Sequence, residues 1–222
     1  MSKTFLCVLS LLFIVSCSNN HKLVVKQAKD RTNLGVAYMR ENKFSEAYKE
    51  LEEAKKLYPD DPFVHYCLGI FYYKKKNWDK AMSEYKISLK LKPDFAAAHN
   101  NIGLVYLYKK EWNTAIFHFK KLINDYVYAT PQFPLTHLGT AYYNKKKYHL
   151  ALMYYQKALE IDPDYAGALI GSGNVYMELK DYSNALSFFN KTIEKKPHPD
   201  FLEKAHAQKK RVLKLMGKET TP

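Results

Sequence analysis

Apolar and polar positions follow a helical period along most of the chain, and that period is itself repeated. An apolar or small residue precedes glycine at Leu34-Gly35, Leu68-Gly69, Ile102-Gly103, Leu138-Gly139 and Ser172-Gly173, so the glycines are spaced 34, 34, 36 and 34 residues apart. Tyr38, Tyr72, Tyr106, Tyr142 and Tyr176 each stand three residues after their glycine, and an aromatic follows six later at Phe44, Trp78, Trp112, Tyr148 and Tyr182. Ala47, Ala81, Ala115, Ala151 and Ala185 keep the same step, and Pro59, Pro93, Pro163 and Pro197 close four of the five repeats. Within a repeat, positions 4, 7, 8 and 11 have the i, i+3, i+4, i+7 spacing of a buried helical stripe; in the second they are His65, Leu68, Gly69 and Tyr72. Each repeat therefore predicts two helices, with Gly at position 8 and Ala at position 20 small enough for their axes to approach closely. Asp60-Asp61, Asp94 and Asp164 stand where N-caps are needed, and Thr130-Pro131 reads as N-cap and first helical residue.

The pattern Leu-Gly-x₂-Tyr…Ala…Pro at a step of 34 resembles the tetratricopeptide repeat. The resemblance implies an all-α fold, a right-handed tetratricopeptide-repeat superhelix of five helix-turn-helix repeats over residues 28–199. Their expected bounds are 28–61, 62–95, 96–129, 132–165 and 166–199. Residues 200–216 carry a further helical pattern with Lys204, Lys209, Lys210 and Arg211, the polar capping helix that an open solenoid end requires, and 217–222 read as a disordered tail. The third repeat has Val127 where proline is expected, and two extra residues fall between Asn124 and Pro131.

The first residues read as an address. A cationic start at Lys3 precedes the apolar run Phe5 to Val15. As a helix that run is about 17 Å long, against a hydrocarbon core of about 30 Å, so it reads as a signal peptide over 1–16 and not as a span. The run ends in Ile14-Val15-Ser16-Cys17, which resembles the lipobox of bacterial lipoproteins. That resemblance implies cleavage before Cys17, covalent acylation of Cys17, and an acylated tail or linker over 17–27. Ser18, rather than Asp, after the cysteine implies sorting to the periplasmic face of the outer membrane.

Charge and composition narrow the chemistry. Thirty-five Lys and Arg against 22 Asp and Glu give a formal charge of +13, which favours acidic neighbours without choosing among them. Nucleic acid fits poorly with an exported, anchored chain. Cys7 leaves with the signal peptide and Cys17 is the acylation site, so Cys67 has no disulfide partner within the mature chain. HExxH, P-loop, GxSxG and CxxC motifs are absent, and His65 and His99 share packing position 4. No enzyme activity, metal or cofactor is expected beyond the lipid on Cys17.

A second stripe, at positions 2, 5, 9 and 12, lies roughly 130° around the first helix from the core stripe. By the resemblance, this face lines the concave groove of the family and binds protein partners. Its candidates are Phe63, Tyr66, Ile70 and Tyr73; Asn100, Leu104, Leu107 and Tyr108; and Phe133, Thr136 and Tyr143. The family's carboxylate clamp, built from Lys, Asn and Arg, does not suit so apolar a face. Lys74, Lys75, Lys76, Lys109, Lys110, Lys145, Lys146 and Lys147 all fall where the first helix of a repeat turns into the second. They predict a basic ridge, serving either as helix C-terminal cations or as a contact for anionic lipid or cell-wall polymer. Lipobox, repeats and the long connector together resemble the type IV pilus biogenesis lipoproteins, the pilotins, which implies an outer-membrane secretin as partner. The alternative is an envelope scaffold that recruits peptidoglycan enzymes or other envelope proteins.

Overall fold

The computed structural model describes the backbone of residues 3–123 and 130–218, and side chains from His21 onward. The connector residues 124–129, the end of the tail from 219, and the side chain of Cys17 lie outside the described residues. Among the described residues all regular structure is helical: α1 (Lys3–Arg40), α2 (Phe44–Leu57), α3 (Pro62–Lys74), α4 (Trp78–Leu91), α5 (Ala96–Tyr108), α6 (Trp112–Ile123), α7 (Gln132–Asn144), α8 (Tyr148–Ile161), α9 (Ala166–Glu178), α10 (Tyr182–Glu194) and α11 (Pro199–Leu215). The chain forms two compact bodies, Met1–Asn101 and Ile102–Pro222, with α5 divided between them. In the N-terminal body α1 packs on α2, α3 on α4, and α1 and α2 both meet α3. In the C-terminal body α7 packs on α8 and α9 on α10, while α11 closes the end against α9 and α10.

Each helix pair is locked by its glycine. A Cβ on Gly69 would stand 2.3 Å from the Tyr85 ring, and one on Gly103, Gly139 or Gly173 would stand 2.5 Å from Phe119, Tyr155 or Phe189. All four rings come from the second helix of the same repeat, sixteen residues on, and all are buried. The Ala residues of the repeat signature, from Ala47 to Ala185, are fully buried beside them. The glycine therefore serves a close approach between helices and not an unusual backbone angle.

The turn inside each repeat is also fixed by the signature tyrosine. The amide of Lys43, Asn77, Glu111, Lys147 and Asp181 donates to the carbonyl of Tyr38, Tyr72, Tyr106, Tyr142 and Tyr176, at 2.9 Å in every case. The residue before each of those donors has positive φ: Asn42 (59°), Lys76 (57°), Lys110 (60°), Lys146 (56°) and Lys180 (62°). This is the Schellman ending of a helix, in which the left-handed position ordinarily favours glycine or asparagine. Four of the five turns place lysine there.

Pro131 has φ −66° and ψ −17°, already helical, as expected of a first helical residue, and the Phe133 amide bonds the Thr130 carbonyl at 3.2 Å. Two details differ from expectation. Asp164 does not cap α9; Tyr165 holds that place without a side-chain bond, while Asp164 pairs with Lys195 at 2.8 Å. Residues 17–27, expected as a tail, continue α1 without a break. Asp61 caps α3 as expected, accepting from the Phe63 amide at 2.8 Å. The capping helix runs as α11 over Pro199–Leu215, burying Ala205 and Val212.

Candidate partner-binding stripes

In the N-terminal body the second stripe runs along α3. Phe63 is 39% exposed, and Tyr66, Ile70 and Tyr73 are half-buried. Tyr66 is the hub: its ring lies 4.9 Å from Phe95, 6.0 Å from Phe63 and 6.1 Å from Tyr85. Tyr73 meets Trp78 edge-on at 5.2 Å. Asn100 is half-buried; its amide nitrogen donates to Asn101 at 3.4 Å, and Asn101 in turn donates to the Tyr85 hydroxyl at 3.2 Å. The stripe is thus a shallow aromatic surface, braced from below by the ring that packs on Gly69.

In the C-terminal body Tyr108 is 58% exposed, and Leu104 and Leu107 are half-buried beside it on α5. On α7, Phe133 packs edge-on against Tyr165 at 5.4 Å, and the Tyr143 hydroxyl reaches Glu178 at 3.4 Å. Thr136 is a correction: it is only 5% exposed and belongs to the packed interior. The next residue along this face, Thr140, is half-buried and back-bonds to the Thr136 carbonyl at 3.0 Å.

Two aromatic residues of these surfaces escaped the sequence pattern. Phe95 and Tyr165 stand just before α5 and α9 and extend the stripes of α3 and α7 through Tyr66 and Phe133. A signal was present: each is an aromatic immediately before a small-residue helix start, Ala96-Ala97 and Ala166-Gly167.

The ridge lysines sit at the turns as expected, and all are exposed except Lys145, which is drawn down to Asn113 by a hydrogen bond. His65 is a packing residue with both ring nitrogens engaged, Nδ1 with Glu84 at 2.6 Å and Nε2 with the Pro59 carbonyl at 2.9 Å. Burial opposes charge on that ring, but the bonds to Glu84 and Pro59 outweigh it and raise its pKa. Glu84 is pushed up by burial, yet the His65 bond and the nearby Lys55 hold it below the ordinary carboxylate value. Burial pushes the Cys67 thiol up to about 12, the behaviour of a small core residue and not of a nucleophile. Among the described residues no helix is long and apolar enough to cross a membrane.

Helix pairs joined by one recurrent turn and bearing a partly open aromatic face define a class: the chain is a tetratricopeptide-repeat protein, a fold that serves protein–protein interaction and is generally non-catalytic. Tetratricopeptide-repeat family models match residues 28–61, 71–110, 134–165 and 166–198. Its fold is similar to that of PilW, described as a widely conserved type IV pilus biogenesis factor, with a TM-score of 0.77 and 23% identity over 86% of each chain. PilF of Pseudomonas aeruginosa is similar at a TM-score of 0.74 and 17% identity, over 87% of this chain and 86% of that one. YrrB, described as having an unusual peptide-binding site, is similar at 0.58 and 18%, over 81% and 90%. No curated protein matches the chain in sequence.

Proposed function

We propose that this chain is a pilotin: a lipid-anchored assembly factor on the periplasmic face of the outer membrane that binds a type IV pilus secretin. The observation that carries the reading is the aromatic stripe of α3, whose Phe63 and Tyr66 lie at the surface on a rigid base. A surface of this kind covers an apolar segment of another protein without needing catalytic groups. The fold likeness to PilW and PilF supports the pilus assignment over other uses of the same fold. Acyl chains on Cys17 supply the membrane address, since each buried CH₂ contributes about 0.8 kcal/mol and several chains give a lasting anchor. Tethering raises the local concentration of the stripe near secretin subunits, so apolar secretin surface is covered until subunits assemble.

Affinity capture of the acylated chain from solubilised envelopes tests this. Secretin is expected among the captured proteins and absent when Phe63 and Tyr66 are replaced by Glu in a chain that remains helical. Capture of peptidoglycan enzymes in place of secretin would reject the assignment in favour of an envelope scaffold.

A further inference from the structure

One pair of positions changes its chemistry stepwise along the repeats. Position 4 of the first helix and position 23 of the second carry Arg31 and Glu50, then His65 and Glu84, then His99 and His118, then Leu135 and Tyr154, then Leu169 and Phe188. In the first repeat they form an ion pair, Arg31 with Glu50 at 2.7 Å, and a guanidinium keeps its charge at every ordinary pH. From the third repeat onward no carboxylate stands there. Of the five pairs, the second alone joins a carboxylate to a group that titrates near neutrality.

The geometry around His65 assigns its charge. Nδ1 lies 2.6 Å from the Glu84 carboxylate and Nε2 lies 2.9 Å from the Pro59 carbonyl. Both partners are acceptors, whereas a neutral imidazole has a single N–H. The side chains of His65 and Glu84 are only 7% and 12% exposed, so two bonds at once require a second proton on the pair. That proton belongs to the ring, because Lys55 of α2, 3.3 Å from both Glu52 and Glu84, favours an ionised carboxylate. The raised pKa of the ring agrees. Lys55 also opposes charge on the ring, and Glu84 of α4 favours it. In the connector Asp60 is exposed and the Asp61 carboxylate is turned to the Phe63 amide. On α3 itself the Cys67 thiol is held neutral by burial, and α1 brings Val36, Tyr38 and Met39 to the apolar cluster it shares with α3.

We infer that His65 is a proton-operated latch: its imidazolium ties the connector between α2 and α3 to α4, and loss of the proton frees the connector and the first turn of α3. A neutral ring keeps its remaining proton on the carboxylate, the stronger acceptor, so a bare Nε2 lone pair is left facing the Pro59 carbonyl. Two acceptors at that distance repel. Pro59 stands two residues before Asp61, which caps α3 through the Phe63 amide at 2.8 Å and whose carbonyl accepts from the His65 amide at 3.5 Å. Phe63 is the first residue of the α3 stripe, so the proton sets how firmly that end of the stripe is held: tightly below the ring's pKa and loosely above it. The latch stands on this geometry; its bearing on partner binding rests on the stripe reading proposed above.

The test uses the full chain, solubilised and labelled with nitrogen-15. At about pH 6 both ring nitrogens of His65 carry protons in the spectrum, and the ring titrates above its ordinary value of about 6.5. Through that titration the protection of the Phe63 and His65 amides against exchange, corrected for the intrinsic rate at each pH, falls about tenfold, as for the loss of one hydrogen bond to a charged group. Glu84→Gln separates the proton from the packing. The new amide can donate to a neutral Nδ1 while Nε2–H stays on Pro59, so the ring's pKa falls and the connector holds at every pH. His65→Arg copies the Arg31–Glu50 pair of the first repeat and likewise removes the pH dependence. A neutral ring at about pH 6, or equal protection across the titration, overturns the inference. A folded Glu84→Gln chain that keeps the parent's pH dependence overturns it as well. None of these readouts involves a partner, so the latch and the stripe reading fail separately: absence of secretin from the capture rejects the stripe and leaves the titration to decide the latch.

Discussion

At the scale of single residues, glycine and lysine do opposite things in this fold. Gly69 has no room for a methyl group, since the Tyr85 ring would be 2.3 Å away and is itself fully buried. Gly69→Ala is expected to cost about 1–3 kcal/mol by overpacking, read as a lower midpoint in urea with an unchanged slope. Lys76 carries the reverse strain, a side chain at φ 57°. Lys76→Gly is expected to stabilise by about 1 kcal/mol, part of the gain being lost to the greater freedom of glycine in the unfolded chain. A melting temperature for Lys76→Gly equal to or below that of the parent would show that the turn tolerates lysine without cost. Both positions could be found in the sequence, but only the glycine's role could be read there. A step of 34 marks where small residues recur, while the sign of φ at Lys76, Lys110, Lys146 and Lys180 emerges only once the helix ends are fixed.

Between elements, two histidines hold helices together by contrary electrostatics. His65 on α3 bonds Glu84 on α4 and the Pro59 carbonyl at the end of the preceding repeat, and its pKa is raised. The stability it contributes is therefore fully present below its unfolded value near 6.5 and is lost as pH rises through the higher folded value. His137 on α7 packs against the Phe119 ring at 5.1 Å, and burial lowers its pKa to about 4. The unfolded chain takes up that proton first, so this contribution is full above about pH 6.5 and is lost as pH falls toward 4. His137→Phe should flatten the acid side of the stability profile between pH 6.5 and 4; an unchanged slope there would mean the ring is hydrated. The cap of α3 is a simpler case: Asp61→Ala removes the bond to the Phe63 amide and should cost about 1 kcal/mol.

The helix pairs were legible because the glycine, tyrosine and alanine periods are consequences of packing, and packing recurs. The stripes were legible less evenly. Phase alone assigns Thr136 and Tyr66 the same position in their repeats, yet Thr136 is sealed and Tyr66 is half-open. The difference comes from how closely neighbouring helices cover a small side chain and a large one, and helical phase carries no term for that. Phe95 and Tyr165 lie outside the stripe's spacing for the opposite reason, reaching it from the turns before α5 and α9.

At the scale of the whole molecule, the account joins two properties, an anchor at Cys17 and aromatic stripes for a protein partner, and both serve the proposed pilotin role. The stripes are the central claim, and Tyr108 tests them most directly because it is 58% exposed. The decisive measurement is the amount of assembled secretin ring in envelopes of cells whose only copy of this chain carries Tyr108→Glu. The account predicts that rings are lost while the variant keeps its helical spectrum, melting temperature and membrane attachment. Normal rings from such a folded, anchored variant would contradict it.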